Sequence, residues 1–252
     1  MSKRLKIILT SILASLGFIC VQFINSNYKI HSIFFLSVVV TILIAWSLKE
    51  SLKFNASIIL LVLPAFFTIG VGFFWFLLPP SFLTRLIVVL YGLLMYFLIL
   101  TINVYYVSTI KTIALFRTAK AGGFVFTIAT FFFLFDAILS FGLPVYLNVL
   151  YVFLVSFPIF LQGYWVVSLG TKFSSKIFQI SVISSLICAQ ISAVVYFWPV
   201  SIVVGSLFLT TTAYVLLGLG QSHLEERLFV QTVREYLILG AAIFIGMFGV
   251  TL

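Results

Sequence analysis

Long apolar runs, separated by short polar or proline-marked breaks, dominate the pattern along the chain. A helix needs about 20 mostly apolar residues to cross a bilayer whose hydrocarbon core is ~30 Å thick. The runs lack the alternating polar and apolar positions of a transmembrane barrel strand. The pattern therefore predicts an all-α fold, a polytopic transmembrane helical bundle with about nine spans. The predicted spans cover residues 7–23, 33–48, 58–78, 86–107, 123–141, 144–169, 177–198, 200–219 and 236–252.

Two of the predicted breaks are only as long as a turn. Gly142-Leu143-Pro144 separates the fifth and sixth spans, and Trp198-Pro199 separates the seventh and eighth. Without these breaks each pair of runs is far too long for one helix, and glycine and proline are the residues that interrupt helices. The span count depends most on these two positions.

The composition agrees with a lipid environment. Of the 252 residues, 63% are hydrophobic and only 8% are charged, and the mean hydropathy is +1.32. A soluble domain carries about 25% charged residues, so we expect one integral membrane domain over residues 1–252 with the lipid bilayer as its main partner. The formal charge of +9 does not indicate nucleic acid here, because basic residues in a membrane protein lie in its loops.

The positions of the basic residues predict the orientation. Short loops rich in Lys and Arg stay in the cytoplasm, and the nine spans place 12 of the 14 basic residues on one side. These are Lys3, Arg4, Lys6, Lys49, Lys53, Lys111, Arg117, Lys120, Lys172, Lys176, Arg227 and Arg234. The prediction is a cytoplasmic N-terminus, an external C-terminus and a location in the bacterial cytoplasmic membrane. The N-terminal run is longer than the roughly 7–15 apolar residues of a signal peptide, so we interpret it as the first span.

An internal repeat is predicted from self-comparison of the sequence. An ungapped shift of 123 residues aligns the first four spans with the next four, and it superposes Asn25 on Asn148 and Trp75 on Trp198. The repeats cover residues 1–110 and 120–220, with a polar connector at 220–235 and a final span at 236–252. Interfacial tryptophans and cytoplasmic lysines align any two similar hairpins, so chance similarity is the alternative to a 4+4 parallel duplication.

Asp136 is the only carboxylate inside a predicted span, and acidic groups in a membrane are expensive to bury. It lies close to the external end of the fifth span, and Arg85 begins the fourth span on the same side. The two residues are expected to form an ion pair. A proton or cation site at Asp136 and simple snorkelling of its side chain to the membrane interface are the alternatives.

The sixth span contains Pro158 near its middle, with Gln162 and Gly163 one turn later. A proline inside a helix leaves one carbonyl without its N–H partner and permits a bend, as in the interrupted helices of some transporters. These three residues are a candidate kink and substrate region. A simple kink without a ligand is the alternative.

The connector at 220–235 predicts an amphipathic cytoplasmic helix. At 100° per residue, His223, Arg227, Gln231 and Arg234 share one face. A solvated connector without a binding role is the alternative interpretation.

No motif for catalysis, metal binding or nucleotide binding is found in the sequence. Phosphate-binding loops, dinucleotide-binding turns and nucleophile elbows are missing, and Cys20 and Cys188 lie in apolar runs without metal-ligand spacing. We therefore expect no enzyme and no cofactor. Two functions stay open: a transporter or permease-like protein for a small or lipophilic solute, and a non-catalytic membrane scaffold or accessory subunit that contacts other membrane subunits.

Overall fold

The computed structural model describes residues 3–24, 28–48, 55–78, 82–108, 114–169 and 174–251. Within these ranges the chain is helical, with nine α-helices and no strand. The helices are α1 (Lys3–Gln22), α2 (Lys29–Ser47), α3 (Val62–Leu77), α4 (Phe82–Ser108), α5 (Phe116–Ser140), α6 (Val145–Ser168), α7 (Ser175–Phe197), α8 (Ile202–Leu224) and α9 (Val230–Thr251). A 3-10 helix, Asn55–Leu61, precedes α3. The all-helical prediction is confirmed for the described residues.

Each helix follows one predicted apolar run, and several extend beyond it. Among the described residues, eight helices, α1 to α8, are long and apolar enough to cross a membrane. Helix α5 begins at Phe116, seven residues before the predicted start at Gly123, and therefore includes Arg117 and Lys120. A helix satisfies its own backbone hydrogen bonds at every depth, so it continues past the apolar run into the polar interface.

Both short breaks are present. Helix α5 ends at Ser140 and α6 begins at Val145, with Gly142 at a φ of +59° in the turn between them. This left-handed conformation is one that glycine adopts without steric cost. Helix α7 ends at Phe197, and Ser201 caps α8 by accepting a hydrogen bond from the backbone N–H of Val204 at 3.4 Å.

The chain divides into two compact units, residues 1–133 and 134–252, and the division falls within α5. In unit 1, α1 packs on α2 and α4, while α3 packs on α2 and α4. Its interior includes Phe18 stacked on Tyr91 with ring centroids 4.8 Å apart. The Tyr91 hydroxyl lies 3.0 Å from the Thr68 hydroxyl, which donates its hydrogen to the Pro64 carbonyl, so Tyr91 is the donor to Thr68.

In unit 2, α6 and α7 form a closely packed antiparallel pair, and α8 packs on both of them and on α9. The face of α7 that is buried carries small polar residues, among them Ser181, Ser185 and Ser192. Each of these hydroxyls donates to a carbonyl of its own helix, at 2.7–2.9 Å. The hydroxyls are thereby satisfied without a partner on α6, and their small size permits close helix packing.

Candidate functional site

Three buried polar side chains lie on one face of α6. Asn148, Ser156 and Gln162 are 2%, 0% and 2% exposed. At 100° per residue they fall within a sector of about 120° and span about 21 Å along the helix axis. Each has an oxygen without a hydrogen-bond partner among the described residues: Asn148 Oδ1, Ser156 Oγ and Gln162 Oε1. We call these three residues the α6 polar face.

Unpaired buried oxygens are costly. A buried donor or acceptor that is left unsatisfied costs about 1–3 kcal/mol, and most buried side-chain polar atoms in proteins have a partner. The contrast with α7 is direct, because Ser181, Ser185 and Ser192 bond to their own helix whereas Ser156 does not. The α6 polar face is therefore chemically suited to a ligand or to water.

Pro158 lies inside α6, two residues after Ser156, and the helix continues through it. Its missing N–H leaves the carbonyl of Leu154 without its usual intrahelical donor. Pro158 is thus an interior residue of one continuous helix, and the kink and substrate role predicted for this region stay predictions.

The two residues predicted with Pro158 have different environments. The carbonyl of Gly163 accepts a hydrogen bond from Gln221 Nε2 of α8 at 3.0 Å. A Cβ at Gly163 would lie 2.7 Å from Leu217 Cδ1, so glycine is needed for the close approach of α6 and α8. Gly163 therefore joins the two helices, and Gln162 beside it keeps an unpaired oxygen.

Tyr164 forms a buried junction of α6, α7 and α8 that the sequence analysis missed. Its hydroxyl donates to the carbonyl of Leu216 at 3.0 Å and lies 2.7 Å from the Ser184 hydroxyl. A phenol has one hydrogen, so Ser184 is the donor in the second bond. Gly220 packs against the same ring, where a Cβ would lie 2.4 Å from Tyr164 Cε1. The closely spaced glycines 218 and 220 of α8 were the available sequence signal.

Asp136 is 6% exposed and has a neighbour that the sequence did not predict. Ser206 of α8 lies 3.3 Å from Asp136 Oδ1, and the same hydroxyl lies 2.9 Å from the carbonyl of Val203. Ser206 is the hydrogen-bond partner of Asp136 among the described side chains. The side chain of Arg85 lies outside the described residues, so the predicted ion pair stays a prediction.

The connector at 220–235 does not form one amphipathic helix. Helix α8 ends at Leu224, and Glu226 adopts a left-handed conformation with φ of +59°. The N–H of Arg227 bonds to the Ser222 carbonyl, and the N–H of Glu226 bonds to the His223 carbonyl. This pair of bonds is a Schellman motif, which ends a helix. The prediction of a continuous helical face is therefore wrong.

The four residues predicted on that face are distributed over three segments. His223 is in the last turn of α8, Arg227 is in the turn, and Gln231 and Arg234 are in the first turns of α9. All four are exposed. Gln231 Nε2 donates to Glu235 Oε1 at 3.1 Å, so this amide has a local structural partner.

In the described part of the chain, no group of three or more His, Cys, Asp or Glu side chains is placed to hold a metal ion. Cys188 is buried and Cys20 is exposed, and both are free thiols.

Together these features define a multi-helix protein with eight helices suited to a membrane and a buried polar helix face in its second unit. The chain belongs to the family described as Protein of unknown function (DUF5656), whose match covers residues 7–250. No curated protein matches the chain. No solved structure matches it either.

Proposed function

We propose that the chain is a multi-pass integral membrane protein with nine spans, a cytoplasmic N-terminus and an external C-terminus. The eight helices α1 to α8 support the multi-pass architecture. Helix α9, with 22 residues, supplies the ninth span. The distribution of 12 of the 14 basic residues supports the orientation and a location in the bacterial cytoplasmic membrane.

Reporter fusions test this topology. Fusions placed after Lys53, Lys120, Lys176 and Arg234 should all report the cytoplasm, and a fusion at the C-terminus should report the outside. An external signal at Lys120 or Lys176 would contradict the nine-span arrangement.

We propose that the protein is a transporter or permease-like protein for a small solute, and that the α6 polar face lines part of the solute's path. The proposal rests on three buried oxygens that have no hydrogen-bond partner and lie on one side of α6, the helix that contains Pro158. A passing solute provides transient hydrogen-bond partners for such groups and offsets the cost of burying them. The bend that Pro158 permits is typical of helices that line a transport path.

The parallel repeat belongs to the same proposal, because repeats related by an axis along the membrane normal are a recurrent way to build transporters. The 123-residue offset aligns α1 to α4 with α5 to α8. In each unit the second and third of these helices pack together, as do the third and fourth, whereas the packing of α6 on α8 has no comparable counterpart between α2 and α4 among the described residues. Superposition of the two units of an experimental structure tests the repeat, and a different helix order in the two units would contradict it.

Flux through proteoliposomes tests the transport function. Light scattering after mixing with a panel of charged and uncharged small solutes should reveal at least one solute that enters faster than it enters protein-free vesicles. Gln162→Leu should reduce this flux severalfold, because it removes an oxygen of the α6 polar face. Gln190→Leu on α7 is the matched control, since Gln190 is exposed and faces away from the interior; its flux should stay at the wild-type level. Equal flux for protein-containing and protein-free vesicles across the panel would refute the proposal.

The second candidate function is a non-catalytic scaffold or accessory subunit of a membrane complex. It is favoured by α9, whose apolar side chains Leu237, Ile238 and Ile245 are 58%, 60% and 68% exposed. In such a complex a partner helix covers this face. Native electrophoresis of the protein extracted in a mild detergent should then show a complex with another subunit that Leu237→Asn weakens, while no solute flux is found.

A further inference from the structure

A small pocket lies at the end of unit 2 where the α5–α6 turn and the α7–α8 turn meet. Its volume is about 190 Å³. Its wall is about equally polar and apolar, and the apolar part includes Leu143 from the first turn and Val200 from the second. Asn148 of α6 and the first turn of α8 supply its polar groups. In the proposed topology this pocket lies at the external side of the membrane.

Asn148 is a residue of the pocket wall and carries a buried hydrogen-bond acceptor. The side chain is 2% exposed, and its Oδ1 has no partner among the described residues. A buried amide oxygen normally accepts at least one hydrogen bond. The atom therefore needs a donor that the described protein does not supply.

The first turn of α8 provides a donor in the same pocket. Ser201 caps the helix: its side chain accepts from the N–H of Val204, and its carbonyl accepts from the N–H of Gly205 at 3.0 Å. The N–H group of Ile202, a residue of the pocket wall, belongs to the first turn of α8, where a backbone N–H has no carbonyl of its own helix to bond to. The positive end of the dipole of this 23-residue helix lies at the same place.

The charges in and near the pocket restrict the kind of ligand that the pocket can bind. Across the part of unit 2 that the structure describes here, none of the residues that line the pocket carries a charge. Asp136 contacts Ser206, which directly follows Gly205 of the pocket wall. A nearby carboxylate disfavours an anion, and the positive helix end disfavours a cation. The pocket is thus suited to an uncharged molecule.

We propose that this pocket binds a small uncharged solute that carries both a hydrogen-bond donor and an acceptor, such as a primary amide, a urea or a short polyol. The solute accepts from the N–H group of Ile202 and donates to Asn148 Oδ1, which the side chain of Asn148 turns toward the pocket when the solute binds. Its apolar part contacts the aliphatic wall. This inference rests on the proposed transport function, because it names the class of solute that would be transported. Binding to the pocket is measured separately from transport.

Acetamide, urea and glycerol are the probes, and Trp198 in the pocket wall is the reporter. Titration of the purified, detergent-solubilised protein with each probe should change the tryptophan fluorescence in a saturable way for at least one of them. Trp198→Phe should remove the signal but preserve the rise in unfolding temperature that the probe produces, since ligand binding to the native state stabilises it.

Asn148→Leu separates binding from folding. It should weaken binding by about tenfold or more, because the solute loses its acceptor. It should also raise the unfolding temperature of the ligand-free protein, because the unpaired oxygen is replaced by an apolar group of similar volume. Asn103→Leu is the matched control: Asn103 also has an unpaired buried oxygen, but it lies on α4 in unit 1. It should leave binding unchanged.

The outcomes distinguish the two proposals. Saturable binding that depends on Asn148 in a protein without solute flux would support the pocket and refute transport. Solute flux without saturable binding of any probe, or with equal affinity in Asn148→Leu, would support transport and refute the pocket. A protein that shows neither would refute both, leaving the pocket as a site for ordered water only.

Discussion

Gly220→Ala tests the helix junction at Tyr164. The new Cβ would lie 2.4 Å from Tyr164 Cε1, 2.7 Å from its Cζ and 2.7 Å from its hydroxyl oxygen. These distances are well inside van der Waals contact, so the ring or the helix must move. The ring is 0% exposed, and its hydroxyl is bonded to Ser184 and to the carbonyl of Leu216. It therefore has no unfilled space to move into.

The expected loss follows from two opposing effects. Overpacking of a well-packed interior costs about 1–3 kcal/mol. Displacement of the ring would break two hydrogen bonds worth about 1 kcal/mol each, which gives a cost in the same range. Alanine is favoured over glycine inside a helix by about 1 kcal/mol. We therefore expect Gly220→Ala to lower the free energy of unfolding by up to about 2 kcal/mol.

Gly240→Ala on α9 is the matched control. Its Cβ would lie 3.7 Å from Val215 Cγ2, which is an ordinary contact. This variant keeps the gain in helix propensity without overpacking, so its stability should stay equal or rise by up to about 1 kcal/mol. The two substitutions are chemically identical and are predicted to have opposite signs.

Cys188 supplies the assay. It is 0% exposed, so a thiol-reactive fluorophore reacts with it only on unfolding; the exposed Cys20 is replaced by Ser in all variants. Equal unfolding temperatures for Gly220→Ala and Gly240→Ala would refute the reasoning. A double-mutant cycle with Tyr164→Phe refines it: without its two hydrogen bonds the ring can move, so the combined loss should be smaller than the sum of the single losses.

Three further predictions use the same assay, in which the labelling of Cys188 on heating gives the unfolding temperature. Glu226→Gly should stabilise the protein by about 1 kcal/mol, because glycine adopts the left-handed conformation of this helix end without strain; a loss of stability would contradict the assigned Schellman motif. Tyr91→Phe should cost about 1 kcal/mol, because it removes the donor to Thr68; an unchanged unfolding temperature would contradict that bond. Asp136→Asn should lower the unfolding temperature, and adding Arg85→Gln should recover part of the loss, because an ion pair that loses one partner leaves the other charge uncompensated. No recovery in the double variant would exclude the pair that the sequence predicts and favour a proton or cation site at Asp136.

The apolar runs were sufficient to predict the helices. Both turn-sized breaks, at 142–144 and 198–199, separate helices as predicted. A helix in lipid must satisfy its backbone hydrogen bonds within its own segment, so its position depends on local sequence. The first and last residues of a helix depend less on the local apolar pattern, and for this reason α5 begins seven residues before its apolar run.

The polar contacts inside the second unit depended on the tertiary structure. The sequence singled out Gln162 and Gly163 but did not show that Gln221, 58 positions later, bonds to the Gly163 carbonyl. It also did not show that Ser206, 70 positions after Asp136, is the neighbour of this acid. Such pairs depend on how each helix is rotated about its axis and on which helices pack together. The sequence pattern of a membrane helix does not determine this rotation, because the lipid-facing and the protein-facing side are both apolar.

Asn148 shows the same limit at the candidate binding pocket. In the sequence it was only an asparagine aligned with Asn25 by the 123-residue repeat. Its importance comes from burial without a partner beside the first turn of α8, a helix that begins 54 residues later. The sequence by itself determined which segments are helical and apolar, because that property is local. Only the tertiary structure decided which polar atoms are left without partners, because a hydrogen bond requires both groups to be brought within about 3 Å of each other.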